Sequence, residues 1–385
     1  MDAIRFSEML SDKHFVDFKK LKYKYPNDFS AFLEVLKHSY YTRLPICDFK
    51  GENLVYLNAC IGVNLETVKL LYTPQNAAFG VKALEEEIVA TSLIESIDFN
   101  RDSVRRILKG FAPQDEEEDR ILGLKRGFEF ISNRENTITE ENLFKLYKMS
   151  IGNFLEAENQ LQAGRLYRHD AVFVLSDKVE HRGIDHRKLP RCMKDLVGFA
   201  NAKDGINDLL KAAMLHFYIA FLHPYFDGNG RMARFVHMWF LIQKGYASTL
   251  FVPFSSYIEK SKKKYYDAFT FAEENFKLSD VIDVTPFLLY FIEHVYGKMT
   301  KDAVQPRTLE AYRDALAAGR LTEKEAKLWQ FVLSAYAGTS FTTKQLEKDF
   351  GDAAFATVRS FVLKFTDLGL LHAQKMKNKV LYSVR

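Results

Sequence analysis

Between Phe221 and Phe235 the chain reads "FLHPYFDGNGRMARF", a His, an Asp, an Asn between two glycines, and two arginines set in otherwise apolar sequence. Each of these residue types has a use in one kind of chemistry. Free backbone N–H groups at a helix start, backed by the positive end of the helix dipole, form an anion site. Arg231 and Arg234, three apart on the first turns, add guanidiniums suited to bidentate phosphate contact. Asn229 adds an amide donor. Asp227 is either a helix N-cap or a ligand for Mg²⁺, which takes one or two carboxylates together with substrate phosphates. His223, across the turn, titrates near neutral pH and is a candidate general base. Together they point to phosphoryl or nucleotidyl transfer to a hydroxyl. The stretch is not a Walker P-loop, because no GxxxxGK[ST] precedes it and it lies between two helical patterns.

The flanking sequence indicates how these side chains are held. "NDLLKAAMLHFYIAFL" (207–222) predicts a buried helix that Pro224 ends. Gly228 and Gly230 permit backbone conformations closed to other residues. The next helix, 229–244, sends Phe235, Met238, Trp239 and Leu241 into a core. Another helix is expected at 191–200, and helical spacing also runs through 116–160. "AVFVLSD" (171–177) breaks that period with β-branched and aromatic residues and reads as a short strand followed by a loop. "AAFGVKALEEEIVATSLIES" (77–96) predicts a helix with Leu84, Ile88, Thr91 and Glu95 on one face. Residues 1–75 read as an N-terminal helical region, with a helix over "DFSAFLEVLKHSYYTRL" capped by Asn27 or Asp28. Residues 301–320 read as a linker. In 321–385, Thr322 with Glu325 and Thr342 with Gln345 form capping boxes. Phe355, Val358, Val362, Phe365 and Leu368 then make one stripe, and "LLHAQKMKNKVLYSVR" makes a two-stranded ribbon turning near Lys377-Asn378. Three helices and a ribbon resemble a winged-helix domain.

"HPYFDGNGRMAR" resembles the Fic family motif His-Pro-Phe-x-[Asp/Glu]-Gly-Asn-Gly-Arg-x-x-Arg, matching every polar position and departing at Tyr225, where Phe is usual. The resemblance implies a mostly α fold: a Fic-type helical core over 76–300 with a short β-hairpin flap, then the winged-helix-like domain. It implies a protein adenylyltransferase, moving AMP from ATP to a Tyr, Thr or Ser hydroxyl of a target protein. On that resemblance His223 would deprotonate the hydroxyl and Asp227 would hold Mg²⁺ on the phosphates. Gly228, Asn229 and Gly230 would hold phosphate oxygens, Arg231 the leaving phosphates and Arg234 the γ-phosphate. Val172, Phe173, Val174 and Leu175 would belong to the flap that registers the target by strand addition. Tyr265 and Tyr266 would help shape the nucleoside pocket, against the plainer reading of core aromatics. "TSLIES" (91–96) resembles the inhibitory motif [Ser/Thr]-x-x-x-Glu-[Gly/Asn], with Thr91 and Glu95 fitting and Ser96 departing. Glu95 would then pair with Arg234 and deny it to the γ-phosphate.

Of the 385 residues 47% are hydrophobic and 27% charged, and the low Gly (19) and Pro (9) counts favour helices. Cys47, Cys60 and Cys192 lie far apart and lack metal-ligand spacing, so a reducing cytoplasm fits best. The N-terminus lacks signal-peptide features, and the longest apolar run, "AAMLHFYIAFL", is too short to span a bilayer, so no membrane association is expected. Within 321–385 ten Lys/Arg face six Asp/Glu, with Lys375, Lys377 and Lys379 on the ribbon, which makes DNA a candidate partner. Two rivals stay open: removal of AMP by the same site, and a nucleotide-sensing DNA-binding regulator. A homodimer is compatible with the sequence.

Overall fold

A computed structural model describes residues 1–72, 80–175, 180–302, 311–312, 314–316, 318–336, 340–376 and 379–384. Within these residues the chain is mostly helical, with three small antiparallel sheets. The sequence-predicted Lys377-Asn378 turn, the first residues of the 77–96 helix and half of the 301–320 linker lie outside them.

Three short helices open the chain: α1 (Ala3–Leu10), α2 (Phe18–Lys24) and α3 (Phe29–Val35). Their apolar faces form a small core of Phe6, Met9, Phe18, Leu21, Phe29 and Phe32. Asp2 and Asp17 cap α1 and α2 by accepting from the Arg5 and Lys20 N–H groups. Asp28 holds the cap position of α3, but its carboxylate accepts from Arg5 Nε at 2.8 Å instead.

The helix expected over 28–44 ends sooner than the sequence suggests. After a π turn at Leu36–Tyr40 the chain extends into β1 (Thr42–Cys47), which pairs with β2 (Asn53–Tyr56). Pro45 bars a helix there. Alternation buries Leu44 and Ile46, and Gly51 turns the hairpin with φ 93°. Helix α4 (Leu65–Tyr72) follows.

The central body comprises α5 (Gly80–Ile94), α6 (Arg101–Leu108), α7 (Glu116–Ser132), α8 (Glu140–Ser150), β3 (Phe173–Leu175), β4 (Glu180–Arg182), α9 (Leu189–Asn201), α10 (Asp208–Leu222), α11 (Asn229–Gln243), α12 (Phe254–Lys260), α13 (Lys262–Ser279), α14 (Thr285–Tyr290) and α15 (Gly297–Asp302). Helices α10 and α11 pack against each other at its centre. Both are apolar on nearly every face and almost entirely buried. Burial of each large side chain contributes roughly 1.5–3 kcal/mol, so the turn joining them is carried by the best-packed part of the molecule. Gly127 on α7 admits α11 closely, because a Cβ there would stand 2.8 Å from Phe235 Cζ. Helix α5 lies against the pair and is pinned from its far side. The buried Glu87 carboxylate accepts from the Ser255 N–H at 2.8 Å and from the Ser255 hydroxyl, both in the first turn of α12.

The C-terminal segment has its own core, including Trp329, Phe341, Leu346, Phe361, Phe365 and Tyr382. It is built from α16 (Glu323–Tyr336), β5 (Ser340–Phe341), α17 (Thr343–Phe350), α18 (Phe355–Asp367), β6 (Leu371–Met376) and β7 (Lys379–Val384), in sheet order β5-β7-β6. A third short strand thus extends the expected two-stranded ribbon. Thr322 and Glu325 cap each other's backbone N–H reciprocally, at 2.8 and 3.2 Å. Phe355, expected in the buried stripe, stands 39% exposed at the first position of α18. The segment meets the central body at Asp349, 3.7 Å from Arg105. No described helix is long and apolar enough to cross a membrane.

Candidate functional site

Helix α10 ends at Leu222, and His223 leaves it in the left-handed conformation (φ 51°, ψ 62°), one of three non-glycine residues with positive φ among those described. Such a conformation costs a β-carbon-bearing residue on the order of 1 kcal/mol and is found where surroundings impose it. Here Pro224 prevents helix continuation, while the His223 N–H is still held by Ile219 O at 3.1 Å. The imidazole Nδ1 lies 2.7 Å from Ala220 O. A carbonyl only accepts, so Nδ1 carries the proton and Nε2 is the acceptor nitrogen of the ring.

The turn is closed by Asn229. Its Oδ1 accepts from the Tyr225 N–H at 2.9 Å and its Nδ2 donates to Tyr225 O at 2.8 Å. The amide expected to hold phosphate is therefore engaged with the loop's own backbone. Tyr225 is fully buried and stacks on Tyr147, centroids 3.7 Å apart, and its hydroxyl has no hydrogen-bond partner among the described residues. Gly228 takes φ 82° at the start of α11, where a Cβ would come within 2.5 Å of Ile151. Gly228 itself is the N-cap of α11, with no side chain capping the helix; Asp227 accepts only from the neighbouring Gly228 N–H, leaves its side chain 55% exposed, and stands 3.7 Å from Arg231.

Arg231 and Arg234 are both buried, at 8% and 3% exposure. Burial pulls the Arg231 guanidinium below its usual range, with Asp227 and Glu95 opposing. Burial also opposes the charge on Arg234, but Glu95 outweighs it and the net shift is upward. Arg234 donates to the Thr91 hydroxyl at 2.6 Å, to Thr91 O at 3.0 Å and to Glu95 Oε1 at 2.7 Å. Burial pushes the Glu95 carboxyl up, but Arg234 wins and holds it below the usual carboxylate range. Glu95 sits one residue past the end of α5, in a turn closed by Ile97 N–H to Ser92 O at 2.9 Å. Ser96 takes φ 62° in that turn, the conformation glycine or asparagine adopts at least cost. That is the physical reason the Gly/Asn position matters, and Ser96 fills it under some strain. A Cβ on Gly230 would overlap Glu95 Oε1, so the carboxylate lies directly over the first turn of α11. Arg231 Nε and Arg234 Nη1 have no partner among the described residues. Two buried N–H groups and a glycine floor fit an anionic group larger than one carboxylate.

The helix-start part of this cradle, Gly228, Asn229 and Gly230, lines one end of a cavity of about 220 Å³, while Arg231 and Arg234 are not among its lining residues. The other end is walled by Phe217, Phe221, Tyr265, Tyr266 and Phe269, and His223, Asp227 and Glu95 stand around it. An aromatic chamber running into an anion cradle fits a flat heterocycle joined to phosphates. Both tyrosines reach the cavity, by different means. The Tyr265 hydroxyl pairs with His216 Nε2 at 2.8 Å and presents its ring. Tyr266 is 43% exposed and donates to Ile94 O at 3.4 Å, beside Glu95. Among the described residues no cluster of three or more His, Cys, Asp or Glu could hold a metal. Asp227 alone fits Mg²⁺ only as a ligand shared with phosphates.

Residues 137–241 match the Fic/DOC family. The chain carries a Fic domain. Over 230 residues it is 25% identical to a protein adenylyltransferase Fic of Culex quinquefasciatus, covering 56% of this chain and 41% of that protein. Over 134 residues it is 27% identical to one of Nematostella vectensis, covering 34% and 30%. The chain thus spans less than half the length of these curated relatives. The structure superposes on a Fic family protein from Desulfovibrio desulfuricans G20 with a TM-score of 0.49 at 16% identity, over 84% of this chain and 97% of that one.

In the Fic domain, β3 and β4 form the expected hairpin, separated from the His223 turn by α9 and α10, pairing Phe173 with Arg182, Val174 with His181 and Leu175 with Glu180. Its base is closed by the Gly183 N–H donating to Val172 O at 3.1 Å. The hairpin tip, 176–179, lies outside the described residues. In the C-terminal segment the exposed side of α18 shows Phe355 and Leu363, and Lys364 is paired with Glu325 at 2.8 Å.

Sequence reasoning missed Arg168. Its guanidinium donates to four backbone carbonyls: His223 and Asp170 at 2.6 Å each, Leu222 at 3.4 Å, and Ile184. Its own N–H donates to Pro224 O at 2.9 Å. Nothing in "GRLYRHDAV" marks it, because its acceptors are backbone groups that any sequence supplies.

Proposed function

We propose that the chain is a protein adenylyltransferase that moves AMP from ATP to a hydroxyl side chain of a target protein and is held inactive by Glu95. The observation that carries this reading is the cavity: an aromatic chamber opens into a helix-N-terminal anion cradle, with an acceptor histidine nitrogen at its edge. The names of the curated relatives support it.

In this reading the adenine ring occupies the aromatic end and the phosphates lie over Gly228–Gly230, met by Arg231 and Arg234. His223 Nε2 takes the proton from the target hydroxyl. The hydroxyl oxygen bonds to the α-phosphorus, and the bond to the β-phosphate oxygen breaks, releasing pyrophosphate. Preorganised N–H donors meet the charge that develops on the phosphates. Asp227 would hold Mg²⁺, which would supply charge neutralisation on the phosphates. The flap strands would align the target segment by backbone pairing. Glu95 holds Arg234 where the outermost phosphate needs it, so ATP binds with its α-phosphorus out of line.

The test is mass spectrometry of the Glu95→Gly protein after incubation with ATP and Mg²⁺. A gain of one AMP on the protein or on a co-purified target is expected. No gain, with ATP shown to bind, rejects the reading.

A second reading is favoured by the position of Glu95, whose carboxylate borders the same cavity as His223. A carboxylate there can orient water to remove AMP from a modified target. Incubating a pre-modified target with metal and without ATP separates the two.

A further inference from the structure

We propose that Arg168 is the positioning residue that fixes His223 and the flap in a single register, so that the acceptor nitrogen meets the target hydroxyl. The proposal rests on the adenylyltransferase reading for its kinetic consequence, but not for its geometry.

Arg168 is 1% exposed, and among the described residues its hydrogen-bond acceptors are all backbone carbonyls, with the Asp185 and Asp170 carboxylates acting on it through charge alone. Burial pulls its guanidinium down to about 10, so it is still charged at neutral pH. A buried cation whose partners are all carbonyls is expensive unless those carbonyls need it. Here they do. Leu222 O and His223 O end α10, where the chain turns and carbonyls lack intrahelical partners. A cation there also complements the negative end of the helix dipole. The other two carbonyls, of Asp170 and Ile184, flank the β3–β4 hairpin on its entering and leaving sides. One rigid, planar fork thus joins both feet of the flap to the two residues that set the His223 backbone. Arg168 N–H on Pro224 O makes the connection continuous through the third residue of the turn.

Gly183 supplies an independent sign of close fit. A Cβ at Gly183 would stand 2.8 Å from Arg168 Nη2, 3.1 Å from His223 Cβ and 2.7 Å from Val172 Cγ1. The flap foot, the guanidinium and the histidine are in mutual contact, with no room for a methyl group. Asn229, not Arg168, closes the phosphate side of the loop. Disturbing Arg168 therefore moves the base relative to the target while leaving the nucleotide cradle in place. A misplacement on the order of 1 Å at the reacting centre costs about a hundredfold in rate.

The experiment uses the full chain in the Glu95→Gly background, with ATP and self-modification or a peptide acceptor as readout. Arg168→Gln and Gly183→Ala are each expected to lower kcat for transfer about ten- to a hundredfold, with the ATP dissociation constant changed less than about twofold. Arg168→Lys, which keeps the charge but replaces the planar fork with a single ammonium nitrogen, is expected to fall between them and the parent. Nitrogen-15 shifts of the His223 ring are read on the same proteins. The parent gives the Nδ1-protonated tautomer and Arg168→Gln a mixed one, whether or not the protein transfers AMP. Unchanged kcat and an unchanged tautomer in Arg168→Gln overturn the proposal. So does a loss of ATP affinity equal to the loss of kcat, which would make Arg168 a support of the fold alone. A parent that binds ATP and transfers nothing sinks the adenylyltransferase reading, and the tautomer comparison still decides the role of Arg168.

Discussion

Glu95 Oε1 lies 2.7 Å from Arg234 Nη2 and fills the space above Gly230 where any other residue would carry its Cβ. One carboxylate therefore does two things: it neutralises a buried arginine and occupies the floor of the anion cradle. Thr91, one turn earlier, holds the same guanidinium through its hydroxyl and carbonyl. Glu95→Gly is expected to raise AMP incorporation, including self-modification, on the order of a hundredfold, by letting the α-phosphorus come into line. Arg234→Ala should stay poorly active, and adding Glu95→Gly to it should not help. Incorporation measured for the parent, both singles and the double variant checks this; equal incorporation by parent and Glu95→Gly would remove any inhibitory role.

His223→Ala is expected to abolish transfer while ATP binds with little change. The imidazole stands across the turn from the cradle, and the loop is closed by Asn229 and Tyr225, so removing the ring leaves the phosphate donors in place. Filter binding and incorporation on the same preparation test it. Transfer at the parental rate would assign the base elsewhere.

Asp227→Ala should remove the response to added Mg²⁺ together with activity. Its exposed carboxylate lines the cavity beside Gly228 and is the acid that phosphates over α11 would meet first. A Mg²⁺ titration of ATP affinity gives a readout independent of turnover. A variant that keeps the parental titration curve places the metal on other groups.

What was legible in the sequence follows from how local each feature is. The His223–Arg234 stretch is short and unbroken, and its spacing already sets the histidine at one helix end and the cradle at the next helix start. The Glu95–Arg234 pair spans 139 residues and could be reached only through a resemblance, since a Thr and a Glu one turn apart are common on helices. For Asn229, residue type shows donors without showing which backbone groups engage them, here those of Tyr225. Arg168 and Glu87 left no trace, since their partners are backbone carbonyls in one case and an α12 N-terminus 168 residues away in the other. The helix read over 28–44 runs on too far because the aromatic spacing of α3 continues through Tyr40 and Tyr41, and only tertiary pairing with β2 reveals that Thr42 to Leu44 already belong to a strand.

Glu87 yields a prediction about stability. Its carboxyl is buried against Ser255, and burial pushes it up to about 6 from 4.5, despite hydrogen bonds from the Ser255 N–H and hydroxyl and the nearby charge of Arg234, which oppose the shift. A folded-state value above the unfolded one means the folded protein binds the proton more tightly. The stabilisation is fully present below about pH 4.5, is lost as the pH rises to about 6, and stays lost at neutral pH. The shift corresponds to about 2 kcal/mol. Glu87→Gln removes this slope and keeps the anchor, since its carbonyl can accept from the Ser255 N–H and its amide can donate to the Ser255 oxygen. The variant is therefore expected to melt above the parent at pH 7.5, with the gap closing toward pH 4.5. Glu95 remains on Arg234 in the variant, so AMP incorporation should not rise. Thermal melts of both proteins across that range decide it. Melting temperatures that run parallel for the two proteins at every pH would mean that Glu87 binds its proton equally tightly in the folded and unfolded states. A rise in incorporation would mean that the Glu87 charge itself helps seat α5 over the cradle.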